Sequence, residues 1–201
     1  MRVRFGVQAV LGSVVAVAMY LAGGATAGAQ GPLAIDSARI TISGTSNIHA
    51  YTATTTTVRV TRAQVNGALA DALKPGSVEA FEIAIPAATL TSPREGLDKN
   101  MHKALQVKEY PDITFRLLRL EPRGGAPGFR AGGLLKIAGV EKEVAFDVTA
   151  DCNDSTIRVQ GQLLLLMTDF GIKPPVAMLG MLKTDPKVTI AFETVLSLPH
   201  P

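Results

Sequence analysis

A single helical stretch stands in a chain that otherwise alternates, and that contrast limits what the chain can fold into. Residues 90–115 read LTSPREGLDKNMHKALQVKEYPDITF. Ser92 suits an N-cap, Pro93 the first helical position, and Glu95 the far arm of a Ser-x-x-Glu capping box. Leu97, Met101, Ala104 and Leu105 follow at helical spacing as one apolar stripe. Asp98, Lys99, Asn100 and Lys103 occupy the polar face. Pro111 biases Tyr110 toward an extended backbone and stops the pattern. A helix over about 93–106 is expected, running straight into a strand.

Around it the period is two. Ile40 and Ile42 share a face in a first strand, 38–46, and the Thr/Val-rich run 51–60 reads as a second. Phe81, Ile83 and Ile85 are in phase in a third, 78–85. Ile113, Phe115 and Leu117 are in phase in a fourth, 112–120. A fifth over 129–138 carries Gly132 and Gly133, which suggest a bulge. Val144, Phe146 and Val148 are in phase in a sixth, 142–150. Ile157, Val159, Leu163, Leu165 and Met167 are in phase in a seventh, 156–167. Val188, Ile190 and Phe192 are in phase in the eighth, 187–196. Gly/Pro-rich turns such as EPRGGAPG at 121–128 link many of them, and short links favour antiparallel neighbours. Eight alternating strands have one apolar face to hide. The expected fold is all-β: an eight-stranded antiparallel barrel of the lipocalin kind, rather than a sandwich, with one short helix.

The N-terminus reads differently. Arg2 and Arg4 precede an apolar run, 10–21, and Ala27-Gly28-Ala29 offers small residues for cleavage. The expectation is a signal peptide over 1–29, export to the periplasm or extracellular space, and no membrane span after cleavage. The 172 residues that remain carry a formal charge of +1, against +3 for all 201. A nearly neutral domain with no basic run points away from nucleic acid. Cys152 is the sole cysteine, so no intrachain disulfide can form and the core must stabilise the fold.

Residues 169–186 break the hairpin rhythm with a long connection whose Val176, Met178, Leu179, Met181 and Leu182 are apolar. Such a run folded over a barrel mouth would cover a hydrophobic ligand, or cap the barrel end as core. Several segments also resemble the YceI-like family. These are Gly44-Thr45-Ser46 with His49, the helix motif Asp98-Lys99-Asn100-Met101-His102-Lys103-Ala104-Leu105, and Tyr110-Pro111-Asp112-Ile113-Thr114-Phe115. The hairpin LKIAGVEK at 135–142 and the loop DFGIKPP at 169–175 match as well. The resemblance covers residues 34–198 and is to a divergent subgroup. Commoner members carry Arg-Asp-x-His-Leu at the helix, where this chain has Leu97-Asp98-Lys99-Asn100-Met101. It implies an exported lipocalin-like barrel that holds a polyisoprenoid or similar long-chain amphiphile.

Holding a prenyl chain needs a dry apolar tube and no catalytic group or cofactor. On that reading the lining comprises Phe81, Ile83, Ile113, Phe115, Leu117, Val144, Phe146, Val148, Leu163, Leu165, Ile190 and Phe192. Met101, Leu105, Met167, Phe170, Met178 and Leu179 would stand at the mouth. A filled barrel without ligand, serving a structural or stress-related role, would show the same periodicity. A small hydrolase using Ser46 and His49, with Asp36 nearby in sequence, is a third reading. The three histidines, His49, His102 and His200, are scattered without metal-ligand spacing. His49 reads as a strand-end histidine hydrogen-bonded at the barrel rim, and His102 as solvated or facing the mouth. Lys99 and Lys173 read as solvated surface charges, with attraction of an anionic head group at the mouth as the alternative, and Cys152 as a small turn-adjacent residue without a role. Oligomeric state is not legible.

Overall fold

The computed structural model describes residues 33–66, 69–125, 127–153, 155–177 and 181–197. The strands are β1 (Ala34–Ser46), β2 (Ala50–Thr55), β3 (Arg59–Val65), β4 (Val78–Pro86), β5 (Asp112–Pro122), β6 (Phe129–Ile137), β7 (Val140–Cys152), β8 (Thr156–Leu166), β9 (Val176–Ala177) and β10 (Leu182–Ser197). Among the described residues the single α-helix, α1, is Glu95–Ala104. One antiparallel sheet runs in the order β2-β1-β10-β8-β7-β6-β5-β4-β3, with β9 paired to the start of β10.

The two strands at the ends of that order are consecutive in the chain. Nine strands that alternate in direction leave the first and last pointing the same way. β2 and β3 are therefore two halves of one bent course, joined by residues 56–58. The first half pairs with β1 and the second with β4. The link from Thr55 to Arg59 spans at most about 14 Å, so it draws the sheet edges together and curls the sheet into a barrel. The run read from sequence as one strand, 51–60, is thus divided, which is why the sheet path has nine strands rather than eight. The cause is local. The Thr55 hydroxyl accepts a hydrogen bond from the Thr57 amide at 3.0 Å and takes that residue out of the ladder. A strap covers the bend: Thr54 and Thr91 exchange backbone bonds of 2.7 and 3.0 Å, and Leu90 beneath is 1% exposed.

Several boundaries move for identifiable reasons. The helix begins at Glu95, with Arg94 as N-cap, and not at Pro93. The arm that reaches back is Asp98, whose carboxylate accepts from the Ser92 amide at 2.7 Å; Glu95 does not complete the box. The helix also ends before Pro111. Gln106 adopts φ 53°, and bonds from Gln106 to Lys103 and from Val107 to His102 close a Schellman motif. The bulge expected on β6 lies opposite, on β5, between Leu117 and Arg119. Met167 leaves the seventh strand for a 3-10 turn, Met167–Phe170. The last strand starts at Leu182 and carries its irregularity around Asp185 and Pro186, where proline does least harm.

Two buried clusters wall the interior. The larger joins Ile40, Ile85, Leu90, Ile113, Leu135, Ile137, Leu165 and Phe170 toward the helix end. The smaller joins Leu33, Leu69, Ala72, Ile157 and Leu196 at the opposite end. There a 3-10 turn, Leu69–Asp71, plugs the barrel. The Cys152 thiol lies 3.4 Å from the Leu69 carbonyl, so this cysteine helps pin the plug rather than idling beside a turn.

Candidate functional site

Strand alternation sends one side chain of every two to the axis, and those side chains enclose a cavity of about 810 Å³. On β10 the lining runs from Leu182 to Leu196. That is roughly 45 Å along the strand, or about 35 Å along the axis at the usual barrel tilt of ~40°. The space is a long channel rather than a compact pocket.

At mid-depth three aromatic rings stand together. Phe115 and Phe146 have centroids 5.6 Å apart, and Phe146 and Phe192 meet edge-on at 5.7 Å. Glycines make room for them. A Cβ on Gly133 would lie 2.6 Å from the Phe115 ring, and one on Gly161 would lie 2.8 Å from the Phe192 ring.

Polarity is confined almost wholly to one end. Among the described residues Thr194 is the one polar lining side chain in the floor half. The others are Ser46, His49, Tyr51 and Thr52 on the β1–β2 hairpin, Ser92, Arg94 and Asn100 at the helix, and Thr184 at the start of β10. Among the described residues Arg94 is the sole charged one in the lining. Its guanidinium donates to His49 Nε2 at 2.8 Å, bridging helix and hairpin across the mouth. Burial first, and the Asp185 carboxylate second, hold the Tyr51 phenol above its usual range, so it stays a neutral hydrogen-bonding group.

Of the residues expected to line the barrel, Phe81, Ile83, Ile113, Phe115, Leu117, Phe146, Val148, Leu163, Leu165, Ile190 and Phe192 all border the cavity, as do Met101, Leu105, Met167 and Phe170. Val144 does not: it packs against the larger cluster beside Gly133, where the Phe115 ring lies. Met178 and Leu179 fall outside the described residues. Val188, in phase with Ile190 and Phe192, borders the cavity too, and so do Ile40, Ile42, Leu135 and Ile137 of the first and fifth expected strands, which the expected lining leaves out. His49 stands hydrogen-bonded at the rim, as its place at a strand end suggests, but Tyr51, Arg94 and Asn100 carry no sequence signal, because no short motif marks a mouth assembled from three distant segments.

The expected apolar flap is only partly a cover. Phe170 and Ile172 are buried, but Val176 and Met181 turn to solvent. His102 is half-buried and donates to the Leu90 carbonyl at 2.8 Å, fastening the helix to the strap instead of facing water. The Ser46 hydroxyl donates to the His49 carbonyl at 2.8 Å, while the His49 ring is engaged with Arg94. Asp36 accepts from Ser197 at the far end of β1. Ser46, His49 and Asp36 are therefore not brought together as a nucleophile, base and orienting acid. Among the described residues no group of three His, Cys, Asp or Glu side chains could hold a metal, and no helix is long and apolar enough to cross a membrane.

Comparison places this architecture. The family model described as YceI-like domain matches residues 33–196. The chain belongs to the YceI-like family. Solved relatives share the fold at low identity. BcnA of Burkholderia cenocepacia superposes with a TM-score of 0.65 at 16% identity, over 79% of this chain and 95% of that one. A polyisoprenoid binding domain from Saccharophagus degradans gives 0.60 at 14%, over 84% and 99%. The Campylobacter jejuni YceI protein gives 0.55 at 14%, over 72% and 82%. A search of the curated proteins finds no match.

Proposed function

We propose that this YceI-like protein is an exported carrier that holds an isoprenoid or similar long-chain amphiphile inside its barrel. One observation carries the reading: an apolar channel of about 810 Å³ whose polar lining gathers almost wholly at one mouth, around the cation Arg94. A hydrocarbon chain would lie along the axis past Phe115, Phe146 and Phe192, and its polar end would meet Arg94, His49 and Tyr51. Burial drives such binding at about 0.8 kcal/mol per CH₂, so a long chain needs few polar contacts. The Saccharophagus degradans relative, a polyisoprenoid binding domain, supports this class of ligand. The basic and apolar pattern of residues 1–29 supports export. No chemical step is part of this function.

Delipidated protein titrated with a dansyl-labelled geranylgeranyl chain tests the reading. Saturable, one-to-one fluorescence enhancement that is lost in a channel-filling variant is the expected result. Absence of saturable binding by well-folded protein would overturn it.

A further inference from the structure

Among the described residues, six large apolar side chains are strongly exposed, and three of them stand together. Ile48 is 57% exposed, Val176 61% and Met181 65%. They project from two hairpins that one asparagine ties together. The Asn47 side chain donates to the Met181 carbonyl at 2.8 Å and accepts from the Lys183 amide at 2.7 Å. The Asn47 amide also donates to the Lys183 carbonyl at 3.1 Å. Ile48 follows Asn47 directly, and Val176 is the ladder partner of Lys183. The same hairpins supply Ser46, His49, Leu182 and Thr184 to the cavity lining. The apolar tips thus stand on the rim of the channel mouth, and Leu166, 39% exposed, lies at the same end.

We infer that this rim docks on the surface of a lipid bilayer, so that the cavity exchanges its chain with the membrane without carrying bare hydrocarbon through water. The inference rests on the function proposed above. Two features favour a bilayer over a second protein. The apolar residues project from two separate hairpins, not from one flat face, which suits shallow insertion between head groups. Lys183 flanks Val176 and Met181, and Arg94 and Lys173 lie on nearby rim segments; long cations beside apolar tips fit the boundary of phosphate and acyl chain. The acids on these segments are Glu95, Asp98, Asp169 and Asp185. Asp98 is already engaged with the Ser92 amide, and Asp185 acts on Tyr51.

Flotation with vesicles of phosphatidylcholine and phosphatidylglycerol tests docking without reference to the ligand. The intact protein should float. The double variant Ile48→Asp/Met181→Asp should partition at least about tenfold less. Leu118→Asp, on the barrel wall where Leu118 is 50% exposed, should float like the parent. Transfer of the dansyl probe to acceptor vesicles should slow in the double variant, while its affinity for the probe in vesicle-free solution stays unchanged. Parent protein that stays in the soluble fraction overturns the inference, and so does a double variant that floats equally well. A dimer that the double substitution splits, with no flotation, also overturns it and assigns the patch to a second copy. Flotation without any probe binding would remove the proposed cargo and leave the docking surface standing.

Discussion

The two ends of the barrel are built from different materials. The floor is plugged by the 3-10 turn Leu69–Asp71, with Leu69 at 3% exposure and Ala72 at 2% packed on Leu33, Ile157 and Leu196. The mouth is held by polar side-chain bonds, Arg94 to His49 and Asn47 to the β9–β10 hairpin, and it leaves apolar tips exposed. Apolar burial is cooperative and hard to open, whereas exposed hydrogen bonds are each worth about 1 kcal/mol and open readily. The contrast teaches that stability resides at one end and access at the other.

The largest expected effect breaks the floor. Leu69→Ala should cost about 2–4 kcal/mol, read as a lowered urea midpoint, because a fully packed side chain leaves a cavity. Ile48→Ala at the mouth should change stability by less than about 0.5 kcal/mol. Equal losses at both ends would erase the distinction. Next is the channel between them. Leu163→Trp, directed at the Phe146–Phe192 pair, should weaken prenyl-probe binding about tenfold or more at a stability cost of about 1–3 kcal/mol. Unchanged binding would show that the chain does not pass that level.

At the mouth, Arg94→Gln should reduce preference for an anionic over a neutral head group by about 1–2 kcal/mol, close to tenfold, in paired titrations. Equal loss for both head groups would make Arg94 a structural latch to His49 and nothing more. The smallest effect is Gln106→Gly. It relieves a left-handed residue at the helix end and should raise stability by up to about 1 kcal/mol in thermal melts.

The same contrast explains what was legible in the chain. Period-two alternation located the strands and the inward face, since Phe81, Ile83, Phe115 and Leu163 owe their direction to backbone geometry alone. The bend at residues 56–58 was not legible, because it depends on the Thr55 hydroxyl taking one amide out of a β-favouring Thr/Val run. Nor was the helix start, since Asp98 outcompetes Glu95 for the Ser92 amide. The mouth was the least legible region. Arg94, His49, Asn47 and Lys183 meet only when the barrel curls, and no local spacing records that meeting. The floor plug was hidden for a similar reason: Cys152 and Leu69 are far apart in sequence and touch through one carbonyl.

Native mass spectrometry of the protein purified from its own host measures directly whether the barrel interior is an occupied channel. A population carrying one added long-chain lipid, released as free protein on activation and absent from the Leu163→Trp variant, is the predicted result. Intact, folded protein appearing solely at its polypeptide mass, and taking up no prenyl chain when one is supplied, would contradict a carrier and leave a barrel that merely encloses space.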